Sequence, residues 1–566
     1  MIKTLRLITI FLLFPVLAFS QNFPGCYWVH FTDKDNSAFS ISNPAAFLSA
    51  RAIARRTQQG IPIVTNDLPV NAAYVNGVLA TGAKLHGSSK WLNSITVYLD
   101  SSSQLTQIIA LPYVAATEFT KPGAKAQPKP SDDKGKWAYP TFGEPMNKAT
   151  AVVHKPKSSL SLDYGMGYNQ VHQIKVDALH DMGFRGDGVV IAILDGGFTN
   201  ADSIAVFDSL WLNDQILGTR DFVSPKYPDI FGSSSHGTNV LSIMGGNLPG
   251  QLVGTAPKAS FYLLRSEDVG TEYKIEEDNW ASAAEYADSL GADIINSSLG
   301  YSVFFDATMD HTYADMNGNT ARSTIAADIA ASKGIVVCNS AGNSGGSVWQ
   351  YIGAPADGDS VFTIGAVDEF GGYAGFSSTG PTADQRLKPN VTAQGQGTVV
   401  AGSGGFVFPG NGTSFSSPVI AGATACLRQA FPGMTNMQLM HAIEQSADHY
   451  ANPDSLYGFG IPDFSIANLI LQAWTPPSLD AGQEPNLLPN PAHNQVRISF
   501  ATSDTQDVTL ALLDLQGRLL MSEKSYQNLN GPSNLELQLP AGLENGLYLV
   551  RITTAKKVFL KKLVKI

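Results

Sequence analysis

The chain has 566 residues, 44% of them hydrophobic and 15% charged, a length that allows roughly three to five domains, each able to bury a core. Its 37 Lys/Arg against 48 Asp/Glu give a net charge of −11, which argues against the basic face of a nucleic-acid binder. Three cysteines exclude a disulfide scaffold and a four-cysteine zinc site, while 53 glycines and few charges suit a secreted, loop-rich protein.

Residues 1–20 read as an export signal. Lys3 and Arg6 precede an almost unbroken apolar run, Leu7 to Phe19, and Ala18-Phe19-Ser20 offers small residues for cleavage. The run is too short for a comfortable membrane span, which needs about 20 apolar residues. A lipoprotein box ending at Cys26 fits poorly, because Phe23-Pro24-Gly25 lies beyond the apolar run.

Residues 21–120 form an α+β module. Phe47, Ala50 and Ile53-Ala54 recur at helical spacing with Arg51, Arg55 and Arg56 between them, and Ser94 to Leu99 reads as a strand. A Lys/Pro/Gly stretch over 121–160 reads as a linker.

Residues 161–474 alternate apolar strands with helices: 189–194, 261–264, 293–296, 335–338 and 361–364. Fully apolar strands between helices predict a parallel sheet covered on both faces. Trp280, Ala283, Ala284, Ala287 and Leu290 share one helical face that should pack on it. Cys338 and Cys426 read as small core hydrophobes. A second linker, 475–485, leads to an all-β module over 486–566, read as a sandwich with strands at 497–500, 508–513, 535–539 and 548–552 and turns at Gly517 and Gly531-Pro532.

Three segments of the middle domain point to chemistry. Asp195 ends a buried strand before Gly196-Gly197, His236-Gly237-Thr238 opens an apolar helix, and Gly412-Thr413-Ser414 leads into Phe415-Ser416-Ser417-Pro418. Pro418 suits the first turn of a helix, which would put the Ser414 hydroxyl at a helix N-terminus. A Ser hydroxyl needs an imidazole to take its proton and a carboxylate to fix the imidazole tautomer. An oxyanion also needs donors, and Asn343 after the strand ending at Cys338 can supply one beside the Ser414 N–H. Each segment alone has a bland reading as a turn, a cap or a loop.

Together, Ile193-Leu194-Asp195-Gly196-Gly197, His236-Gly237-Thr238-Asn239-Val240 and Gly412-Thr413-Ser414-Phe415-Ser416-Ser417-Pro418 resemble the signature blocks of the subtilisin-like serine proteases, in that family's Asp, His, Ser order. The resemblance implies a subtilisin-like α/β fold. It implies Asp195 as orienter, His236 as general base and acid, Ser414 as nucleophile and Asn343 as oxyanion donor. The presence of His236 disfavours the sedolisin relatives. Ser298-Leu299-Gly300 resembles the edge strand that pairs with the substrate backbone, and Ala341-Gly342 the wall of the primary pocket, with room for a bulky apolar side chain. Glu267, Asp268, Glu272, Glu276, Glu277 and Asp278 would run along the cleft rim, as a solvated loop or as a preference for basic substrates. The chemistry needs no cofactor. Calcium would be structural, with Asp315, Asn317 and Asn319 as the candidate loop, which lacks the terminal Glu of an EF-hand.

The resemblance makes 21–120 a propeptide, against the alternative of a permanent accessory domain. The C-terminal module resembles the sorting domain of type IX secretion cargo, through Pro489-Asn490-Pro491-Ala492, Asp514-Leu515-Gln516-Gly517-Arg518, Gly546 to Arg551 and the closing Lys561 to Ile566. Its nine Lys/Arg against six Asp/Glu make it mildly basic. A sugar- or substrate-binding sandwich is the alternative. The expected product is a monomeric, secreted or surface endopeptidase, made as a zymogen and exported across the outer membrane. Its expected partners are protein or peptide substrates, its own propeptide and the type IX machinery. A silent adhesin on the same scaffold and an esterase are the rival readings.

Overall fold

The computed structural model describes residues 23–123, 162–475 and 482–566, so the expected export signal, most of the first linker and part of the second lie outside the described residues. The chain divides into two units, Met1–Ala467 and Asn468–Ile566. No helix among the described residues is long and apolar enough to cross a membrane.

The first unit opens with β1 (Gly25–Phe31), α1 (Ala50–Gln58), α2 (Ala72–Leu79), β2 (Lys84–Ser89), β3 (Ser94–Leu99), α3 (Ser102–Ile109) and β4 (Val114–Pro122). The four strands pair antiparallel in the order β2-β3-β1-β4. Alternation sends Tyr27, Val29, Phe31, Ile95, Val97 and Leu99 to one face, where Val78 and Ile108 from α2 and α3 close a core. The α1 arginines differ from an ordinary polar face: Arg55 and Arg56 are only 5% and 1% exposed.

The larger part of the unit continues with α4 (Tyr168–Gln173), α5 (Val176–Asp181), β5 (Val190–Asp195), α6 (Asp208–Leu212), β6 (Ile216–Asp221), α7 (His236–Gly245), β7 (Asn247–Leu248), β8 (Leu252–Val253) and β9 (Ser260–Arg265). It goes on through α8 (Ile275–Leu290), β10 (Ile294–Ser297), α9 (Arg322–Ser332), β11 (Val336–Ser340), β12 (Phe362–Val367), β13 (Val391–Gln394), β14 (Gln396–Ala401), β15 (Val407–Asn411), α10 (Thr413–Ala430) and α11 (Asn436–Gln445). Seven parallel strands follow the order β13-β12-β11-β10-β5-β9-β6. Every predicted apolar strand is present in this sheet. Its two outer strands went unpredicted, because β6 is half exposed at an edge and β13 is four residues long. Trp280, Ala283, Ala284 and Ala287 pack on the sheet as expected, whereas Leu290 at the end of α8 is only partly buried. The strand order reverses between β5 and β10, which opens a crevice at their carboxyl ends.

The long β10–α9 connection is tied down by a buried pair. His311 Nε2 lies 2.7 Å from Glu277 Oε1 on α8, and the Ser323 N–H donates to Glu277 Oε2 at 3.1 Å. Burial alone would raise the Glu277 carboxyl, but His311, Arg322 and the Ser323 N–H bring it from an ordinary 4.5 to about 2. Burial alone would lower His311, and the Glu277 carboxylate outweighs it, so the imidazole stands above its ordinary 6.5. A lowered carboxyl adds stability above 4.5 that is lost as pH falls toward 2. A raised imidazole adds stability below 6.5 that is lost as pH rises through its folded value. The pair should therefore support the fold most between pH 4.5 and 6.5. Urea unfolding of the full chain at a series of pH values checks this, and Glu277→Gln should flatten both shoulders.

The second unit opens on the end of a helix, α12 (Phe464–Trp474), and is otherwise all-β among the described residues: β16 (Asn486–Leu488), β17 (Gln495–Leu513), β18 (Lys524–Gln538), β19 (Gly546–Thr553) and β20 (Val558–Lys565). Two predicted strands merge in β17, which pairs with β18 from Gln495 to Leu510, with β16 near its start and with β19 at its end. Val496, Ile498, Phe500, Val508, Leu510 and Leu512 alternate into its core. Gly517 makes the expected turn at φ 81°, with its N–H on Asp514 O. Gly531-Pro532 is no turn between strands. It sits inside β18 opposite Thr502 and Ala501, where the register shifts.

Candidate active site

The crevice is built by close backbone approaches. A Cβ on Gly237 would lie 2.4 Å from Gly197 O, and the Gly237 N–H donates to that same oxygen at 3.0 Å. Two glycines thus let the first turn of α7 sit against the loop after β5. The contact brings His236 Nδ1 to 2.9 Å from both carboxylate oxygens of Asp195. The Gly196 N–H also donates to Asp195 Oδ1 at 2.7 Å. Asp195 is wholly buried and His236 is 2% exposed, so the pair is shielded from water.

Ser414 is the second residue of α10, behind Gly412 at φ 151°. The helix begins earlier than expected. Pro418 lies inside it rather than in its first turn, yet the Ser414 hydroxyl keeps its place at the N-terminus. Asn343 is fixed by its oxygen, since Oδ1 accepts from Thr413 N and Thr413 Oγ1, each at 2.9 Å. That leaves the amide NH2 as the end that can meet a ligand.

His236, Ser414, Asn343, Ser298, Leu299, Gly300, Ala341 and Gly342 all line one cavity of about 330 Å³, with Asp195 behind the imidazole. Sequence reasoning missed its far wall, Ser302, Trp349, Tyr351, Gly353 and Phe376. Trp349 and Tyr351 belong to a loop with no periodicity, and Tyr313, stacked on Tyr351 at 4.1 Å, comes from the β10–α9 connection. Among the described residues, no Asp, Glu, Lys or Arg lines the cavity.

The acidic stretch is neither a solvated loop nor a lining of the cavity. Glu267, Glu272, Glu276, Glu277 and Asp278 are at most 9% exposed. Burial raises the Asp278 carboxyl to about 6 against the opposing charge of Arg322, and Thr96 Oγ1 of the N-terminal module donates to it at 2.9 Å. Asp268 pairs with Lys121 Nζ at 2.9 Å. Asp268 and Asp278 thus meet the N-terminal module, while Tyr301, Thr271 and His311 of the catalytic part hold Glu267, Glu276 and Glu277, so the stretch is covered where the expectation had it open.

Asp315, Asn317 and Asn319 do not fit a calcium loop. Asp315 Oδ2 accepts from the N–H and hydroxyl of Thr312, and Asn317 Oδ1 accepts from Asn319 N. A Cβ on Gly318 would lie 2.8 Å from Arg386 Nη2, so a guanidinium already stands against the loop and disfavours a second cation. Oxygens of Glu267, Glu272 and Glu276 do approach within 4.8 Å of one another. They are hard donors of the kind calcium takes, though three fall short of the usual six to eight. Cys338 and Cys426 are wholly buried, and burial pushes both thiols up.

Three family models match stretches of the chain. Residues 186–460 match the subtilase family, residues 26–134 the peptidase S8 propeptide domain of Bacteroidota, and residues 486–566 the secretion system C-terminal sorting domain. Subtilisin E of Bacillus subtilis (strain 168) is 32% identical over 326 residues, which cover 57% of this chain and 77% of the relative. Subtilisin of Bacillus pumilus is 32% identical over 310 residues, covering 54% of this chain and 98% of the relative. Among solved structures, fervidolysin from Fervidobacterium pennivorans, a keratinolytic enzyme related to subtilisin, aligns with TM-score 0.53 and 17% identity over 95% of this chain and 71% of its own. At that identity the likeness speaks for the fold.

Proposed function

The chain belongs to the subtilase family of serine endopeptidases, and on that premise we propose that Asp195, His236, Ser414 and Asn343 carry its chemistry. It is a secreted protease made as a zymogen, with a propeptide domain and a sorting domain that directs it to the outer membrane or cell surface. The observation that carries the residue assignment is the buried His236–Asp195 pair, which shares one cavity with Ser414 and Asn343.

Asp195 accepts the Nδ1 proton and so leaves His236 Nε2 unprotonated. That nitrogen takes the Ser414 proton as Oγ attacks the scissile carbonyl. The oxyanion accepts from Asn343 Nδ2 and the Ser414 N–H. His236 then protonates the leaving amine, and water releases the acyl group by the reverse sequence. No cofactor enters these steps. The substrate backbone adds as a strand along Ser298-Leu299-Gly300, and an uncharged, bulky side chain fills the space between Ala341-Gly342, Trp349, Tyr351 and Phe376. The enzyme works as a monomer, after a cut between about Phe119 and Leu162 separates the propeptide.

A fluorophosphonate probe tests the assignment directly. It should label the processed enzyme on the peptide carrying Ser414 and stop casein hydrolysis in proportion to labelling. Labelling elsewhere, or hydrolysis that survives full labelling, would falsify it.

A further inference from the structure

Pro418 has no N–H to donate to the carbonyl four residues before it, and that carbonyl belongs to Ser414. The ladder of α10 therefore has a gap at the residue read above as the nucleophile. The neighbouring strand fills it: Ser298 Oγ donates to Ser414 O at 3.0 Å. Asn296 Nδ2 in turn stands 3.4 Å from Ser298 Oγ, and Asn296 Oδ1 accepts from Ser417 Oγ at 3.0 Å. Asn296 and Ser417 are wholly buried and Ser298 is 2% exposed, so water does not substitute for any partner.

The three bonds run one way, from Ser417 to Asn296 to Ser298 to the Ser414 carbonyl. The amide sets the direction, because its oxygen only accepts and its nitrogen only donates. With the amide N–H on the Ser298 oxygen, the Ser298 proton goes to Ser414.

We propose that Asn296 is a positioning residue for the nucleophile. Acting through Ser298, it fixes the first turn of α10 against the substrate strand, whose Ser298 carbonyl already lies 3.5 Å from Ser414 Oγ. The proposal rests on the reading of Ser414 as nucleophile.

Asn296→Asp tests it with almost no change of volume. A carboxylate cannot donate, so Ser298 turns its proton toward the new carboxylate and the Ser414 carbonyl loses its donor. In enzyme matured from the full chain, kcat per titrated active site on a chromogenic peptide should fall about 10- to 100-fold, a misplacement effect. KM should stay within about twofold, since ground-state binding is untouched. Ser298→Ala should lose as much, and the double variant no more than either, because both cut one chain. Unchanged kcat in Asn296→Asp, or losses that multiply in the double variant, would overturn the proposal. If Asn296→Asp fails to mature, the rate at which fluorophosphonate labels Ser414 in Asn296→Ser gives the same reading, and labelling at the wild-type rate overturns it. Peptide hydrolysis that survives Ser414→Ala would instead remove the reading on which the proposal rests.

Discussion

Ser414→Ala is expected to lower kcat for peptide hydrolysis by about 10⁶-fold, and His236→Ala by as much, because neither group works without the other. Asp195→Asn should cost about 10⁴-fold, since the amide donates to Nδ1 and holds the wrong tautomer. The wholly buried Asp195 takes the imidazole on both oxygens, so no neighbouring water can restore that tautomer. The Ser414→Ala/His236→Ala double variant should be no slower than either single one. A residual rate about 10³- to 10⁴-fold above water should remain from Asn343 and substrate binding. Initial rates on a chromogenic peptide check the series. Wild-type rates in Ser414→Ala or His236→Ala would place the chemistry elsewhere.

Asp288→Ala should uncouple the N-terminal module from the catalytic part. Asp288 sits wholly buried near the end of α8 and accepts from Arg55 at 2.5 Å and Arg56 at 2.7 Å, with Lys90 Nζ at 3.4 Å. Arg56 also pairs with Asp67 at 2.7 Å, and Lys333 Nζ lies 3.2 Å from the same carboxylate. Burial alone would raise the Asp288 carboxyl, but the charges of Lys90, Arg55 and Arg56 hold it below the ordinary range. Removing one partner from such a cluster leaves cations buried without a counter-charge, at about 3–5 kcal/mol. Urea unfolding of the Ser414→Ala chain, with and without Asp288→Ala, measures that loss. Asp100→Ala serves as the control, since it removes only the exposed partner of Lys84 and should leave the midpoint unchanged.

The proposed catalytic groups could be picked out because each stands at a local landmark that short stretches of sequence mark. Asp195 ends an apolar strand, His236 starts a helix, and Ser414 follows the glycine before another. The N-terminal interface was not legible for the opposite reason. Arg55 and Arg56 read as ordinary polar positions of a short helix, and the carboxylate that buries them lies 232 positions beyond Arg56. The acidic stretch misled in the same way, because the residues that cover it, Thr96 and Lys121 on one side and Tyr301 and His311 on the other, are remote in sequence. The relay from Ser417 to Ser298 needs a contact between β10 and α10, 121 positions apart, which no local pattern announces.

The docked module has a consequence for how the two forms of the protein migrate. Residues 162–475 carry 12 Lys/Arg against 32 Asp/Glu, while residues 23–123 carry seven against five. Much of the cationic side of the precursor thus lies outside the catalytic part, and if the proposed cut removes the N-terminal module, Asp278 loses Thr96 and Asp288 loses Arg55, Arg56 and Lys90. An enzyme processed as proposed would be a far stronger polyanion per unit mass than its precursor. Maturation should therefore register as a large anodic shift on a native gel and as later elution from an anion exchanger.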